Sequence, residues 1–161
     1  MAGQSDSGKH QKERMTLILG FGNPLHGDDG VGAYAVQMLN ARSLPTNVKV
    51  RDAGTPGFGL VSEIEGWDRV ILIDAIRMGR SPGSWRRFNP DEVRLLAADG
   101  FLSLHQPGLA NSLALAQALN LLPKEIIFFG IEPIGTDLFD DINPIASNSV
   151  EEVVNHILNE L

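Results

Sequence analysis

The four residues Val70-Ile71-Leu72-Ile73, within an expected strand Arg69–Ile76, form an uninterrupted apolar run, with no polar residue alternating through it. A strand of this kind is buried on both faces, the signature of a sheet covered by helices on each side. Leu17-Ile18-Leu19 and Ile126-Ile127-Phe128-Phe129 repeat the pattern within Thr16–Phe21 and Glu125–Ile131. Segments with helical spacing lie between and after these runs. Val31–Asn40 carries Val31, Tyr34, Ala35, Val36 and Leu39 on one face; Leu60–Trp67 carries Leu60, Ile64 and Trp67; Leu109–Leu121 reads as a mostly apolar helix. Val48–Arg51 reads as a short strand, and Ser84–Phe88 as an edge strand, since Arg86 and Arg87 suit a solvated edge. Pro90–Ala98 reads as a short helix capped by Asn89. The last helix is expected over Val150–Leu161, capped by Asn148 or Ser149, with Glu151 and Glu152 in its first turn. Strands alternating with helices predict a three-layer α/β/α sandwich around a mostly parallel sheet.

A chain of 161 residues fits one domain, expected over residues 16–161 after a polar leader, residues 1–15, read as disordered. The net charge of −7 argues against nucleic-acid binding, which needs a basic surface. There is no cysteine, hence no disulfide, thiolate ligand or cysteine nucleophile. That agrees with a reducing, cytoplasmic setting. No apolar run reaches the roughly 20 residues of a membrane span, and the polar N-terminus is not a secretory signal.

The chemistry concentrates where the first apolar run breaks. Gly20-Phe21-Gly22-Asn23-Pro24-Leu25-His26-Gly27-Asp28-Asp29-Gly30-Val31-Gly32 is a glycine-rich turn carrying two adjacent carboxylates and opening onto a helix. Ligands of parallel sheets sit beyond the carboxyl ends of the strands, and an acidic pair there suits a cation or an activated water rather than a phosphate. Asp28-Asp29-Gly30 also suits a turn with a helix cap, because Asp accepts backbone N–H bonds. Asp74 ends the third strand, where a buried unpaired carboxylate would cost stability. His105 lies in a loop before a helix. Asp29, Asp74 and His105 sit in loops able to converge at one end of such a sheet. Two carboxylates and an imidazole suit Zn²⁺ or Ni²⁺ better than Mg²⁺.

Other motifs fail. The dinucleotide fingerprint begun by Gly20 and Gly22 has Leu25 where its third glycine belongs. No phosphate-binding loop of the Walker type, His-Glu-x-x-His or Gly-x-Ser-x-Gly occurs. Ser103 and His105 are too close in sequence to favour a nucleophile–base pair. His26 reads as a solvated loop residue, with a fourth ligand or proton shuttle as the sharper alternative. Arg77, Arg80, Arg86 and Arg87 cluster after the third strand, either as a solvated edge or as a docking surface for an acidic or C-terminal segment of a partner.

Gly-Asn-Pro-Leu-His-Gly-Asp-Asp-Gly-Val-Gly after a first strand, Ile73-Asp74-Ala75 ending a buried strand, and Ser103-Leu104-His105 resemble, in this order, the hydrogenase maturation protease family. The similarity runs from Thr16 onward. It implies an endopeptidase that removes a C-terminal extension from the large subunit of nickel-iron hydrogenase once nickel is inserted. It implies a phosphorylase/hydrolase-like fold with a five-stranded mixed sheet and one antiparallel strand. By position, the family's nickel-binding residues fall on Asp29, Asp74 and His105, with Zn or Cd as surrogate metals in isolation. Asp29, on a glycine-flanked loop, is the expected acid–base residue. The loop Asp52-Ala53-Gly54-Thr55 resembles a family segment tied to substrate choice, so Asp52, Gly54 and Thr55 are expected to contact substrate. Ala53 departs from the Gly, Cys or Phe frequent there. The implied partner is a nickel-iron hydrogenase large-subunit precursor, bound by a monomer.

Two rivals share these residues. A receiver-like signalling domain also uses an acidic pair and an Asp to bind Mg²⁺, yet here Gly20–Gly27 displaces the pair and Glu132-Pro133 follows the last strand where a lysine would belong. A non-catalytic nickel chaperone would transfer nickel without shortening the precursor.

Overall fold

A computed structural model describes residues 13–55, 57–89, 91–92, 109–137 and 140–161. Its strands are β1 (Thr16–Phe21), β2 (Val48–Gly54), β3 (Arg69–Ala75), β4 (Trp85–Phe88) and β5 (Glu125–Ile131). Its helices are α1 (Val31–Asn40), α2 (Leu60–Ile64), α3 (Leu109–Ala118) and α4 (Pro144–Glu160). The five strands form one sheet in the order β2-β1-β3-β5-β4. All neighbours run parallel except β4, which pairs antiparallel to β5 at the edge.

Alternation along the strands divides the core into two. Leu17, Leu19, Val70, Leu72, Ile126 and Phe128 pack against α2 and α3 on one face. Ile18, Ile71, Ile73, Ile127 and Phe129 pack against α1 and α4 on the other. This is the three-layer arrangement expected from the continuous apolar runs. Every residue of β1 and β3 is buried.

The helix α1 approaches the sheet very closely through glycine. A Cβ on Gly32 would stand 2.2 Å from the Phe21 carbonyl oxygen and 2.6 Å from that of Ile73. These are backbone atoms of β1 and β3, so no rotamer change relieves the clash. The sequence Gly30-Val31-Gly32 therefore sets where α1 begins and how near it lies to two strand ends.

Several element boundaries differ from those read in the sequence. The last helix starts at Pro144, not Val150. Asn143 is its cap, accepting the Ile145 N–H at 2.9 Å, and Pro144 occupies the first turn, where its missing N–H has no role. Ser149 is buried inside that helix and donates its hydroxyl proton to the Gly83 carbonyl. Neither it nor Asn148 is a cap. The helix α2 ends at Ile64, because Gly66 takes a positive φ of 83°. The strand β2 continues to Gly54, three residues past Arg51. Of the helix expected at Pro90–Ala98, only Asp91 and Glu92 lie within the described residues, and both are helical.

Candidate active site at the sheet switch point

Strand order reverses between β1 and β3: the chain leaves β1 for β2 on one side and later builds β5 and β4 on the other. Connections diverge there, and the region beyond the carboxyl ends at such a switch point is the ligand-binding position in open parallel sheets. Two of the sequence-derived site residues, Asp29 and Asp74, stand at this point.

The turn after β1 is held by tight local geometry. Gly22 has φ of 102°, and a Cβ on it would lie 1.8 Å from the Asp29 carbonyl oxygen. The Asp29 N–H donates to the His26 carbonyl at 3.1 Å, and the Asn23 N–H donates to Asp29 Oδ2 at 3.0 Å. Asp29 is 4% exposed. His26 is half-buried within this turn and caps nothing with its side chain.

The adjacent carboxylates have opposite surroundings. Asp28 is 1% exposed and points at the segment before α4. Its Oδ2 accepts N–H bonds from Ile134 at 2.7 Å and Gly135 at 3.2 Å, and its Oδ1 accepts one from Asn143 at 2.7 Å. Asp28 is thus a clamp between the β1 turn and the segment leading into α4. Neither Asp28 nor Asp29 caps α1 with its side chain, since the cap position is Gly30. Of the expected turn-plus-cap reading, the turn stands, since Gly27–Gly30 is one short 3₁₀ turn, and the cap fails for both residues.

Asp74 is the penultimate residue of β3 and is 3% exposed. Its Oδ1 accepts the N–H of Ala75 at 2.8 Å. Burial pushes its pKa well above the usual carboxylate range, the Ala75 N–H opposes this, and the Asp29 charge pushes it further up. No cation among the described residues pairs with Asp74. The two carboxylates therefore feel one another in a site of low polarity.

On the other side of β1, β2 bulges so that Gly20 pairs with Asp52 and Phe21 with Gly54. Gly54, at φ of 56°, accepts the Gly22 N–H through its carbonyl at 2.9 Å. Asp52 Oδ1 accepts the Gly54 N–H at 3.0 Å. The Asp52–Thr55 loop is thereby tied to the turn that carries Asp29, with Asp52 and Thr55 exposed. His105 and Ser103 lie outside the described residues. Among the described residues, no group of three His, Asp or Glu side chains is placed to hold a metal.

The four arginines do not make one surface. Arg86 pairs with Glu92 at 2.8 Å and Arg87 with Glu160 at 3.4 Å, while Arg77 and Arg80 lie on the loop after β3. Sequence reasoning passed over Glu132, which is 6% exposed, except as the residue standing where a lysine was sought. Its signal is like the one that marks Asp74: a carboxylate at the carboxyl end of a buried apolar run.

The model of the hydrogenase maturation protease family matches residues 33–160. The chain belongs to that family. Hydrogenase expression/formation protein HupD of Bradyrhizobium diazoefficiens is 36% identical over 136 residues, covering 84% of this chain and 70% of the relative. HupD of Thiocapsa roseopersicina is 37% identical, with 76% of this chain covered, and the match spans only 56% of the relative's length. The hydrogenase 2 maturation protease of Escherichia coli K12 is 30% identical, covering 88% of this chain and 87% of its own. Among solved structures, the E. coli hydrogenase maturating endopeptidase HybD superposes with a TM-score of 0.82 at 29% identity, covering 91% of each chain. The fold, with its single antiparallel edge strand, is that of hydrogenase maturation endopeptidases. The receiver alternative is set aside, because Asp28 is consumed as a clamp and Glu132 follows β5.

Proposed function

We propose that this protein is the endopeptidase that removes the C-terminal extension of a nickel-iron hydrogenase large-subunit precursor after nickel insertion. Asp29, Asp74 and His105 contact the nickel already seated in that precursor. The observation that carries this reading is the state of Asp74: buried, raised in pKa and pressed further by the Asp29 charge. A divalent cation delivered by the substrate supplies positive charge beside Asp74, with which no cation among the described residues pairs. A nickel-free precursor leaves the repulsion between Asp29 and Asp74 in place, so loaded substrate binds preferentially. Surrogate Zn or Cd would answer the same electrostatic demand in isolation.

Asp29 acts as the base that takes a proton from the attacking water, being held by the Asn23 N–H on a glycine-flanked turn. The Asp52, Gly54 and Thr55 loop, tied to that turn through Gly22, contacts the substrate at this end of the sheet. The first turn of α3 begins four residues after His105 in sequence and is anchored near this end by Ser112, whose hydroxyl donates to the Gly57 carbonyl at 3.0 Å. No helix among the described residues is long and apolar enough to cross a membrane.

The test mixes the protein with nickel-loaded and nickel-free precursor and reads both masses. Loss of a C-terminal peptide from the loaded form alone is expected. Nickel transfer without shortening would replace this reading with a chaperone.

A further inference from the structure

Most arginines of this chain have a carboxylate partner. Arg14 pairs with Glu125, Arg51 with Glu63, Arg69 with Glu160, Arg86 with Glu92 and Arg87 with Glu160. Arg77 and Arg80 differ. They lie on the β3–β4 loop, three and six residues past Asp74, at the carboxyl end of the sheet. Both are exposed, and no carboxylate among the described residues pairs with either. Among the described residues, Arg77 Nη2 reaches only the Thr136 hydroxyl, at 3.4 Å. Arg42 also has no acidic partner among the described residues, but it follows α1 at the opposite end of the sheet.

The loop that presents them is fixed from beneath. Glu132 Oε2 accepts the Met78 N–H at 2.6 Å and the Arg80 N–H at 3.3 Å. The Glu132 backbone also bonds to Gly83 at 2.9 Å and Ser84 at 2.8 Å. A merely solvated pair of arginines has no use for a buried carboxylate under its backbone, which costs desolvation. The arrangement fixes the backbone that carries both guanidinium groups at the carboxyl end of the sheet, the end that also carries Asp29 and Asp74.

We propose that Arg77 and Arg80 anchor a carboxylate of the substrate's cleaved extension, and that Glu132 is the positioning residue that holds them there. This rests on the endopeptidase reading above. Guanidinium groups match carboxylates by paired N–H donors, and an extension at a chain's C-terminus always brings one carboxylate, its terminal one. Acidic side chains of the extension offer the same chemistry. The anchor would orient the chain so that the bond to be cut lies by Asp29 and Asp74 while the terminus points to the β3–β4 loop.

The experiment measures kcat and KM on nickel-loaded precursor for the wild type, Arg77→Ala/Arg80→Ala, Arg77→Lys/Arg80→Lys and Glu132→Gln. The double alanine variant should raise KM on the order of fivefold to tenfold with kcat little changed, as loss of charged hydrogen bonds at a docking rim implies. The lysine pair should recover part of it, and Glu132→Gln should raise KM by less than the double alanine variant. A precursor amidated at its C-terminus, and one with the extension's acidic side chains changed to amides, separate the two carboxylate sources. Wild type should discriminate against one of them, and the double alanine variant against neither. An unchanged KM in the double alanine variant, with wild type cleaving normally, overturns this inference alone. Failure of the wild type to cleave any precursor overturns the endopeptidase reading and this inference with it.

Discussion

Arg69 and Asp74 stand at opposite ends of one strand, β3, and both are buried, at 7% and 3% exposure. At the amino end, Arg69 donates to Glu160 Oε2 at 2.6 Å, and Glu125 lies 3.8 Å from its Nε. Burial lowers its pKa, but the Glu160 charge acts against that loss. At the carboxyl end, Asp74 receives one backbone N–H and a neighbouring like charge. One end of the sheet neutralises its buried charge from within; the other leaves its charge to be answered from outside. Structural ion pairs and functional groups are both buried and charged, and what separates them is whether the partner belongs to the chain.

The sharpest way to break this comparison is to remove the carboxyl-end charges. Asp29→Ala should reduce precursor processing by about a thousandfold or more, the scale of a lost acid–base residue, with an unchanged circular-dichroism spectrum. A variant that unfolds instead would make Asp29 structural. The adjacent Asp28→Ala should behave in the opposite way. It leaves three backbone N–H groups without their acceptor, and its melting curve should report a loss of about 2–4 kcal/mol. Glu160→Ala, at the amino end, should cost about 2 kcal/mol by removing the closer of the two carboxylates beside Arg69, with processing per folded molecule retained.

Asp74→Asn tests the carboxyl end by pH. The folded pKa of Asp74 lies above its unfolded value, so wild-type stability from this group is present below the ordinary Asp pKa and lost as pH rises through the folded pKa. Asn removes the charge and should raise the melting temperature at neutral pH. That gain should shrink to nothing in acid, while processing is lost at every pH. Equal melting temperatures across pH would show that Asp74 carries no uncompensated charge. The smallest effect is expected from Arg51→Ala, which breaks an exposed pair with Glu63 and should cost about 0.5 kcal/mol or less in a thermal melt.

Elements with a continuous apolar run were legible without the structure: β1 and β5 have the boundaries read from the residues, and β3 differs by a single residue at its end. The start of α4 was not, although Asn143-Pro144 is a cap followed by a first-turn proline. Polar residues between Asn143 and Val150 hid the helix, because helical periodicity shows only where a face is buried. Arg86 and Arg87 read as part of one basic cluster, yet successive residues of a strand point to opposite faces. Arg86 accordingly meets Glu92 while Arg87 meets Glu125 and Glu160.

The residues themselves determined the layered sheet, the turn after β1 and the two carboxylate-bearing strand ends. Each of these depends on spacing along a short stretch of chain. What the sequence left open was which of Asp28 and Asp29 serves the fold, and the answer depends on residues more than a hundred positions away. Asp28 meets Ile134, Gly135 and Asn143, whose N–H groups arrive only when the end of β5 packs beside β3 and the chain turns into α4. Adjacent side chains leave a tight turn in different directions, and only the packed chain decides which direction holds backbone donors and which holds the candidate site.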